Sequence, residues 1–182
     1  MIVHVFALIF PLLMAFAACS DLLTMRISNM LVAVVIAGFV IAALIVGMSP
    51  ALIGMHLAAG ALVLAITFAL FAMGWIGGGD AKLAAGIAMW MGFEFMLPFL
   101  LYASVLGGLL TFILLIGRRH ALPGPLLGVS WIQRLHHPKT GVPYGIALAV
   151  GAMLVYPQTV IYESLVTNQA VQQTLLDQLG TF

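Results

Sequence analysis

Two aspartates stand out as candidates for chemistry in an otherwise apolar chain. Asp21 follows the first long apolar segment, and Asp80 comes directly after three glycines, Gly77, Gly78 and Gly79. Ionisable residues at membrane depth are costly and often mark functional sites. Two neighbouring carboxylates do not both ionise easily, so one keeps a proton. Such a pair can activate water, because the ionised carboxylate accepts a proton from it while the protonated one polarises a carbonyl.

The sequence around these aspartates predicts helices that cross a membrane. Hydrophobic residues make up 64% of the 182 residues and charged residues only 6%, whereas soluble domains carry about 25% charged residues. A crossing takes about 20 apolar residues, and we predict an all-α, polytopic membrane protein with six transmembrane helices. The predicted spans are residues 2–20, 30–46, 51–73, 82–97, 98–117 and 142–157. Glu94 and Pro98 mark the predicted turn between the fourth and fifth spans.

The basic residues predict the orientation of these spans. All six Lys and Arg residues fall in odd-numbered loops: Arg26 in the first, Lys82 at the third, and the other four within residues 118–141. Loops rich in Lys and Arg are cytoplasmic in most membrane proteins. We therefore expect a multi-pass protein of the cytoplasmic membrane with both termini extracytoplasmic. Asp21 lies at the first of these loops and Asp80 at the third. Both aspartates should therefore lie at the cytoplasmic end of the spans.

From the sequence we predict one transmembrane domain, residues 1–157, followed by an extracytoplasmic tail, residues 158–182. Apolar residues such as Ile161 and Leu165 recur on one side of the tail, which favours an amphipathic helix at the outer surface. The net charge of +1 gives no indication of nucleic-acid binding, and a single cysteine cannot form an intrachain disulfide.

Polar and small residues within the spans predict how the helices pack. His56 lies in the middle of the third span, where an interhelical hydrogen bond is expected. Ala103 with Gly107, and Ser104 with Gly108, repeat small residues at helical spacing in the fifth span. Small residues let neighbouring helices approach closely in a membrane.

The two aspartates also allow a purely structural interpretation. Asp80 could cap a helix that begins at Ala81, and Asp21 could pair with Arg26. The glycine run favours the functional interpretation, because three glycines cost chain entropy and would let an extended backbone approach Asp80. If both aspartates react, helix dipoles favour Asp80 as the base, at a helix N-terminus, and Asp21 as the acid, near a helix C-terminus.

Three segments together resemble the type IV prepilin peptidases, a family of intramembrane aspartyl proteases with a GxGD motif. "DLLTMRISN", residues 21–29, resembles the Asp-x4-Arg-Ile-Pro-Asn stretch that follows the first catalytic span of this family. "GGGDAKLAAGIAMWMG", residues 77–92, resembles its GxGDxKL block. "VPYGIALA", residues 142–149, resembles the segment that opens its final span.

The resemblance implies an endopeptidase that removes the leader of prepilin-like proteins at the cytoplasmic membrane face. Asp21 and Asp80 would be the catalytic pair. The supporting positions would be Gly77, Gly78, Gly79, Lys82, Arg26, Asn29, Pro143, Tyr144 and Gly145. The substrate and the lipid bilayer would be the partners, and the reaction would need no metal and no other cofactor.

Two departures from the family pattern qualify the resemblance. Ser28 stands where the family usually has proline, so a looser turn after Asp21 is expected. The chain also lacks the cytoplasmic region with paired CxxC motifs that larger prepilin peptidases carry and that is associated with N-methylation. It therefore resembles the short peptidases of tight-adherence (Flp-type) pilus systems, and methylation stays open.

Three other functions fit parts of the sequence. A protease of the same chemistry could act on preflagellins or signal peptides. A proton-coupled carrier or channel could use Asp21 and Asp80 as a relay, although only His56 would continue the relay across the bilayer. A non-catalytic membrane scaffold would tolerate replacement of Asp80 by Asn, which a protease would not.

Overall fold

The described part of the chain is built from helices. The structure is a computed structural model, and it describes residues 2–166, in which no β-strand occurs. The helices are α1 (Ile2–Thr24), α2 (Asn29–Ile45), α3 (Pro50–Ala72), α4 (Gly78–Gly117), α5 (Ser130–His136), α6 (Tyr144–Val155) and α7 (Val160–Val166). The predicted all-α class is confirmed.

The lengths of the helices do not confirm the predicted number of crossings. Within residues 2–166, three helices are individually long and apolar enough to cross a bilayer, and α6 with α7 would form a fourth, bent span. Helix α2 has 17 residues, which rise about 26 Å and fall short of a hydrocarbon core of about 30 Å. The chain is a membrane protein whose residues 2–166 form helices and no strand, and six crossings stay a prediction.

Helix α4 reverses direction at Gly92, which has φ 64° and ψ −178°. Ala84 and Ala88 precede the break and pack in one cluster with Met96 and Leu100, which follow it. In an unbroken helix Ala84 and Leu100 would lie about 24 Å apart. Residues 78–91, the first arm, and residues 93–117, the second arm, therefore run antiparallel.

The predicted boundary between the fourth and fifth spans is wrong in position. The reversal occurs at Gly92, whereas Pro98 lies inside the second arm. A reversal within one residue needs a backbone with positive φ, which glycine adopts without steric cost. Glu94 and Pro98 lie within six residues of the reversal in the sequence, but neither residue type readily adopts a positive φ.

His56 stabilises the reversal from the facing helix α3. Its Nδ1 lies 2.7 Å from the Met89 carbonyl oxygen, and because a carbonyl only accepts, Nδ1 donates. The last carbonyls before a helix break lack donors from their own helix, so His56 satisfies a group that the break leaves free. The His56 ring also stacks on Phe39, with 5.6 Å between ring centroids. The predicted interhelical hydrogen bond is confirmed.

Replacing Gly92 by Ala is expected to destabilise the protein. A Cβ atom at Gly92 would lie 2.8 Å from His56 Cε1, and the backbone conformation is nearly exclusive to glycine, with a cost of about 1–3 kcal/mol for other residues. The measurement is the thermal midpoint of the purified protein in detergent. Gly54→Ala is the control, because nothing lies within 4 Å of a Cβ at that position. Equal midpoints for the two variants would contradict the role of Gly92.

A contact between two aromatic rings relates the positions of the two aspartates along the helix bundle. The rings of Phe10 in α1 and Trp90 in the first arm lie 4.8 Å apart between centroids. Asp21 lies about 16 Å along α1 from this contact, and Asp80 about 15 Å along the first arm. Because the two helices run in opposite directions, both aspartates reach the same end of the bundle.

The predicted tail begins within the packed part of the structure. Ile161 and Leu165 in α7 are buried in the main hydrophobic core, and the axis of α7 is bent by 55° from that of the preceding helical segment, Tyr144–Gln158. The remainder of the predicted amphipathic helix, residues 167–182, lies outside the described residues.

Candidate active site

Asp21 is held by the beginning of another helix. Its side chain lies in the last turn of α1, is only 4% exposed, and accepts a hydrogen bond of 2.7 Å from the Gly145 N–H to Oδ2. Helix α6 begins at Tyr144, so this N–H is one of the donors that a helix leaves free in its first turn. The contact joins two segments that lie far apart in the sequence.

The close approach at Asp21 requires glycine at position 145. A Cβ atom there would lie 2.8 Å from Asp21 Oδ2 and 2.9 Å from Ile27 Cδ1. Pro143 is buried just before the helix begins. The Tyr144 hydroxyl lies 3.0 Å from Thr111 Oγ1. The predicted supporting segment, Pro143, Tyr144 and Gly145, therefore lies between α1 and the second arm of α4.

Asp80 lies in the first turn of α4, and Gly77 is the N-cap residue. The Asp80 carboxylate folds back over Gly77, where an added Cβ would lie 2.8 Å from Oδ2. The alternative that Asp80 caps a helix beginning at Ala81 is therefore wrong, because the helix begins earlier, at Gly78.

The glycine run allows close packing at the beginning of α4. A Cβ at Gly78 would lie 3.1 Å from the Phe71 ring, and a Cβ at Gly79 would lie 3.1 Å from Ile27 Cβ. Only Gly77 has an extended backbone, with φ −73° and ψ 142°. Gly78 and Gly79 are helical and form the first turn of the helix that carries Asp80.

One cavity of about 490 Å³ contains both aspartates. Its lining residues are Asp21, Met25, Arg26, Ile27, Ser28, Asn29, Gly77, Gly78, Gly79 and Asp80. At its edge, the exposed Lys82 donates a hydrogen bond of 2.9 Å to Asn29 Oδ1. The predicted residues of the first two sequence blocks therefore come together, and Gly145 joins them through Asp21. Asp21 and Asp80 are the two carboxylates among the residues that line this cavity.

The helix dipoles near the two aspartates differ less than was expected from the position of each residue in its own helix. Asp21 lies near the C-terminus of α1, but its carboxylate also faces the N-terminus of α6. Asp80 lies at the N-terminus of α4. Both carboxylates are thus close to the positive end of a helix dipole. The dipole argument for Asp80 as base and Asp21 as acid loses its basis, because it considered only the helix that carries each residue.

The turn after Asp21 contains features that sequence reasoning did not find. Met25 has a positive φ of 55°, which is uncommon outside glycine. The Ser20 hydroxyl donates to the Arg26 carbonyl at 3.1 Å, and the Thr24 hydroxyl donates to the Ser20 carbonyl at 2.7 Å. Arg26 itself is exposed, and the hydrogen bond to the Asp21 side chain comes from Gly145. The predicted pairing of Asp21 with Arg26 is therefore absent from residues 2–166.

Ser28 caps helix α2 in the position where a looser turn was expected. Its side chain accepts a hydrogen bond of 3.1 Å from the Leu31 N–H. Serine is a favoured N-cap residue, and this contact caps the first turn of α2. A serine before an apolar helical run is the sequence signal that could have identified the cap.

A second, mostly apolar cavity of about 220 Å³ adjoins Asp80. Helix α3, both arms of α4 and helix α6 line it together with Asp80; the lining residues are Thr67, Leu70, Ile76, Asp80, Ala84, Leu100, Ala103, Ser104, Tyr144 and Leu148. Asp80 thus lines both cavities.

The predicted small-residue packing is confirmed for one of the two pairs. A Cβ at Gly107 would lie 2.9 Å from the Tyr144 ring, and a Cβ at Gly151 would lie 2.9 Å from the Ala103 nitrogen. The second arm of α4 therefore packs closely on α6 through Ala103 and Gly107. Ser104 lines the apolar cavity instead, and nothing lies within 4 Å of a Cβ at Gly108.

Comparison with known proteins identifies the family. No curated protein and no solved structure matches the chain. The sequence model of the type IV leader peptidase family matches residues 8–112, which are more than half of the chain and include Asp21, the glycine run and Asp80. The segment with Gly145 lies beyond this match, and the structure brings it to Asp21. The chain therefore belongs to the type IV leader peptidase family, a family of proteases.

Proposed function

We propose that this protein is an aspartyl endopeptidase that removes the leader peptide of prepilin-like proteins. The observation that carries the proposal is the single cavity that contains Asp21 and Asp80 in a member of a leader peptidase family. The two aspartates come from different helices that only the fold brings together. The proposed cleavage requires this shared cavity of about 490 Å³ to admit water and the scissile peptide bond.

The proposed reaction uses the two carboxyl groups as one unit. The ionised carboxylate takes a proton from water, and the resulting nucleophile attacks the scissile carbonyl carbon. The protonated carboxyl donates its proton to the carbonyl oxygen, and a proton then passes to the departing amine. The Gly145 N–H, 2.7 Å from Asp21 Oδ2, orients that carboxyl during these transfers.

The proposed site faces the cytoplasm. Arg26 lines the cavity and Lys82 lies at its edge, and the positive-inside rule assigns loops with such residues to the cytoplasmic face. In this arrangement α1, α2, α3, the two arms of α4 and α6 make six crossings, and the shorter helices are accommodated by local thinning of the bilayer.

The apolar cavity beside Asp80 would take an apolar side chain of the substrate next to the scissile bond. Ser104→Phe places a ring at the edge of this cavity. We expect cleavage of a substrate with a large apolar residue there to fall by about 10- to 100-fold, and cleavage of one with alanine there to fall less, because a methylene group in such a pocket contributes about 1–3 kcal/mol.

Val105→Phe provides the control for Ser104→Phe, because Val105 is the exposed neighbour and does not line this cavity. The measurement is the ratio of kcat/KM for the two substrates in each variant. An unchanged ratio in Ser104→Phe would contradict a role of the cavity in substrate selection.

The proposed function is tested by co-expression of the chain with a prepilin-like protein of a tight-adherence system. Immunoblotting and mass spectrometry compare leader removal for the parent chain, Asp21→Ala and Asp80→Ala. We expect the parent alone to remove the leader. An intact leader with a folded parent chain would contradict the assignment, whereas cleavage of a preflagellin or signal peptide would identify another substrate. The same mass spectra report whether the new N-terminus is methylated.

A further inference from the structure

Two arginines of the basic segment between α4 and α6, residues 118–141, donate hydrogen bonds to backbone carbonyl oxygens. Arg134 in α5 donates a hydrogen bond of 2.8 Å from Nη1 to the Leu23 carbonyl oxygen. Arg118, directly after α4, donates from Nε to the Leu135 carbonyl oxygen at 2.8 Å and from Nη2 to the Gly141 carbonyl oxygen at 3.0 Å. In the sequence, this segment is identified only by its four basic residues.

The carbonyl that Arg134 contacts belongs to the end of α1. Helix α1 ends at Thr24, so the Leu23 carbonyl is one of those that a helix C-terminus leaves without donors. A cation at this position also interacts favourably with the helix dipole. Leu23 follows Asp21 closely in the same helical turn, so this hydrogen bond holds the part of α1 that carries the Asp21 side chain.

Of the two carbonyls that Arg118 contacts, one belongs to α5 and the other to the chain that leads to Gly145. Gly141 directly precedes the segment that leads to Gly145, whose N–H donates to Asp21. Leu135 follows Arg134 in α5. Arg118 therefore connects α5, and with it Arg134, to the segment that enters α6.

We infer that Arg118 and Arg134 are positioning residues that hold the two sides of the Asp21–Gly145 contact together. Arg134 holds the end of α1, and Arg118 holds the chain that enters α6. Helix α5 joins the two, because it contains Arg134 and its Leu135 carbonyl accepts from Arg118. The planar guanidinium carries several donors in a fixed geometry, which suits contacts with two carbonyls at once. This inference rests on the proposed function only for its effect on catalysis.

The first test measures the contact itself and needs no substrate. Backbone hydrogen exchange of the peptide that contains Gly145 is compared between the parent chain and the variants Arg118→Ala and Arg134→Ala in detergent. We expect faster exchange at Gly145 in both variants, because the acceptor and the donor are no longer held together. Arg119→Ala is the matched control, because Arg119 is an exposed neighbour of equal charge. It should leave exchange unchanged.

The second test measures the consequence for catalysis. We expect Arg134→Ala and Arg118→Ala to lower kcat by about 10- to 100-fold, because small misplacements of a reacting group have effects of this size, with little change in KM. Arg134→Lys keeps the charge and one donor and should recover part of the loss. Arg119→Ala should match the parent.

The two tests separate the inference from the proposed function. If Arg118→Ala and Arg134→Ala match Arg119→Ala in hydrogen exchange, the inference is overturned, whatever the catalytic result. If exchange changes as expected but the folded parent chain cleaves no leader, the inference about the contact stands and the proposed function fails. Thermal midpoints near the parental value distinguish loss of the contact from loss of the fold.

Discussion

Replacing either aspartate of the pair by Asn is expected to reduce leader cleavage by about 10²- to 10⁴-fold, the usual contribution of general acid–base catalysis. Asparagine has nearly the shape of aspartate but cannot exchange a proton with water or substrate. Asp21 and Asp80 line one cavity, so the reaction loses its proton acceptor or its proton donor. The measurement is the initial rate of leader removal by purified variants in detergent, with mass spectrometry of the products.

The double variant tests whether the two aspartates act as a unit. Residues that act together give strongly non-additive effects, so Asp21→Asn with Asp80→Asn should be little slower than the slower single variant. Glu94→Gln is the matched control, because it removes an exposed carboxylate of α4 beyond the reversal at Gly92. Full activity of Asp21→Asn, or losses that multiply in the double variant, would contradict the shared mechanism.

The second large effect is expected from Gly145→Ala, a change of one methyl group outside the family match. The new Cβ would lie 2.8 Å from Asp21 Oδ2 and 3.0 Å from Asp21 Cβ, so the aspartate and the start of α6 must move apart. We expect kcat to fall by about 100-fold, as for other displacements of a reacting group. Overpacking should also lower the free energy of unfolding by about 1–3 kcal/mol.

The expected loss of stability in Gly145→Ala is opposite in sign to the usual effect of replacing Gly by Ala in a helix. In a helix with free space, Ala is more favourable than Gly by about 0.5–1 kcal/mol. Gly108→Ala tests this case, because nothing lies within 4 Å of its added Cβ, and its thermal midpoint should equal or exceed the parental value. If Gly145→Ala were equally stable and fully active, the hydrogen bond from Gly145 to Asp21 would not matter for the site.

Sequence analysis predicted the helical membrane class and the pair of aspartates for identifiable reasons. Apolar runs of the length of a bilayer are visible without knowledge of any contact. The order of these runs then placed Asp21 and Asp80 at the same end. The Phe10–Trp90 contact, with ring centroids 4.8 Å apart, holds the two helices at matching heights.

The details of the glycines could not be predicted from the sequence. Helix α4 reverses at Gly92, whereas the predicted turn was placed at Glu94 and Pro98. Gly78 and Gly79 are helical and allow Phe71 and Ile27 to approach. A glycine can serve a turn, a close contact or an extended segment, and its neighbours in space decide which.

The amino-acid sequence by itself determined that the chain is apolar and helical and that two acids occur at the same end of its helices. The tertiary structure alone decided what each acid contacts. The Gly145 N–H reaches Asp21 across 124 residues, and Arg134 reaches the end of α1 across 111 residues. Local patterns encode hydrophobic periodicity and helix ends, whereas these contacts depend on how distant helices pack.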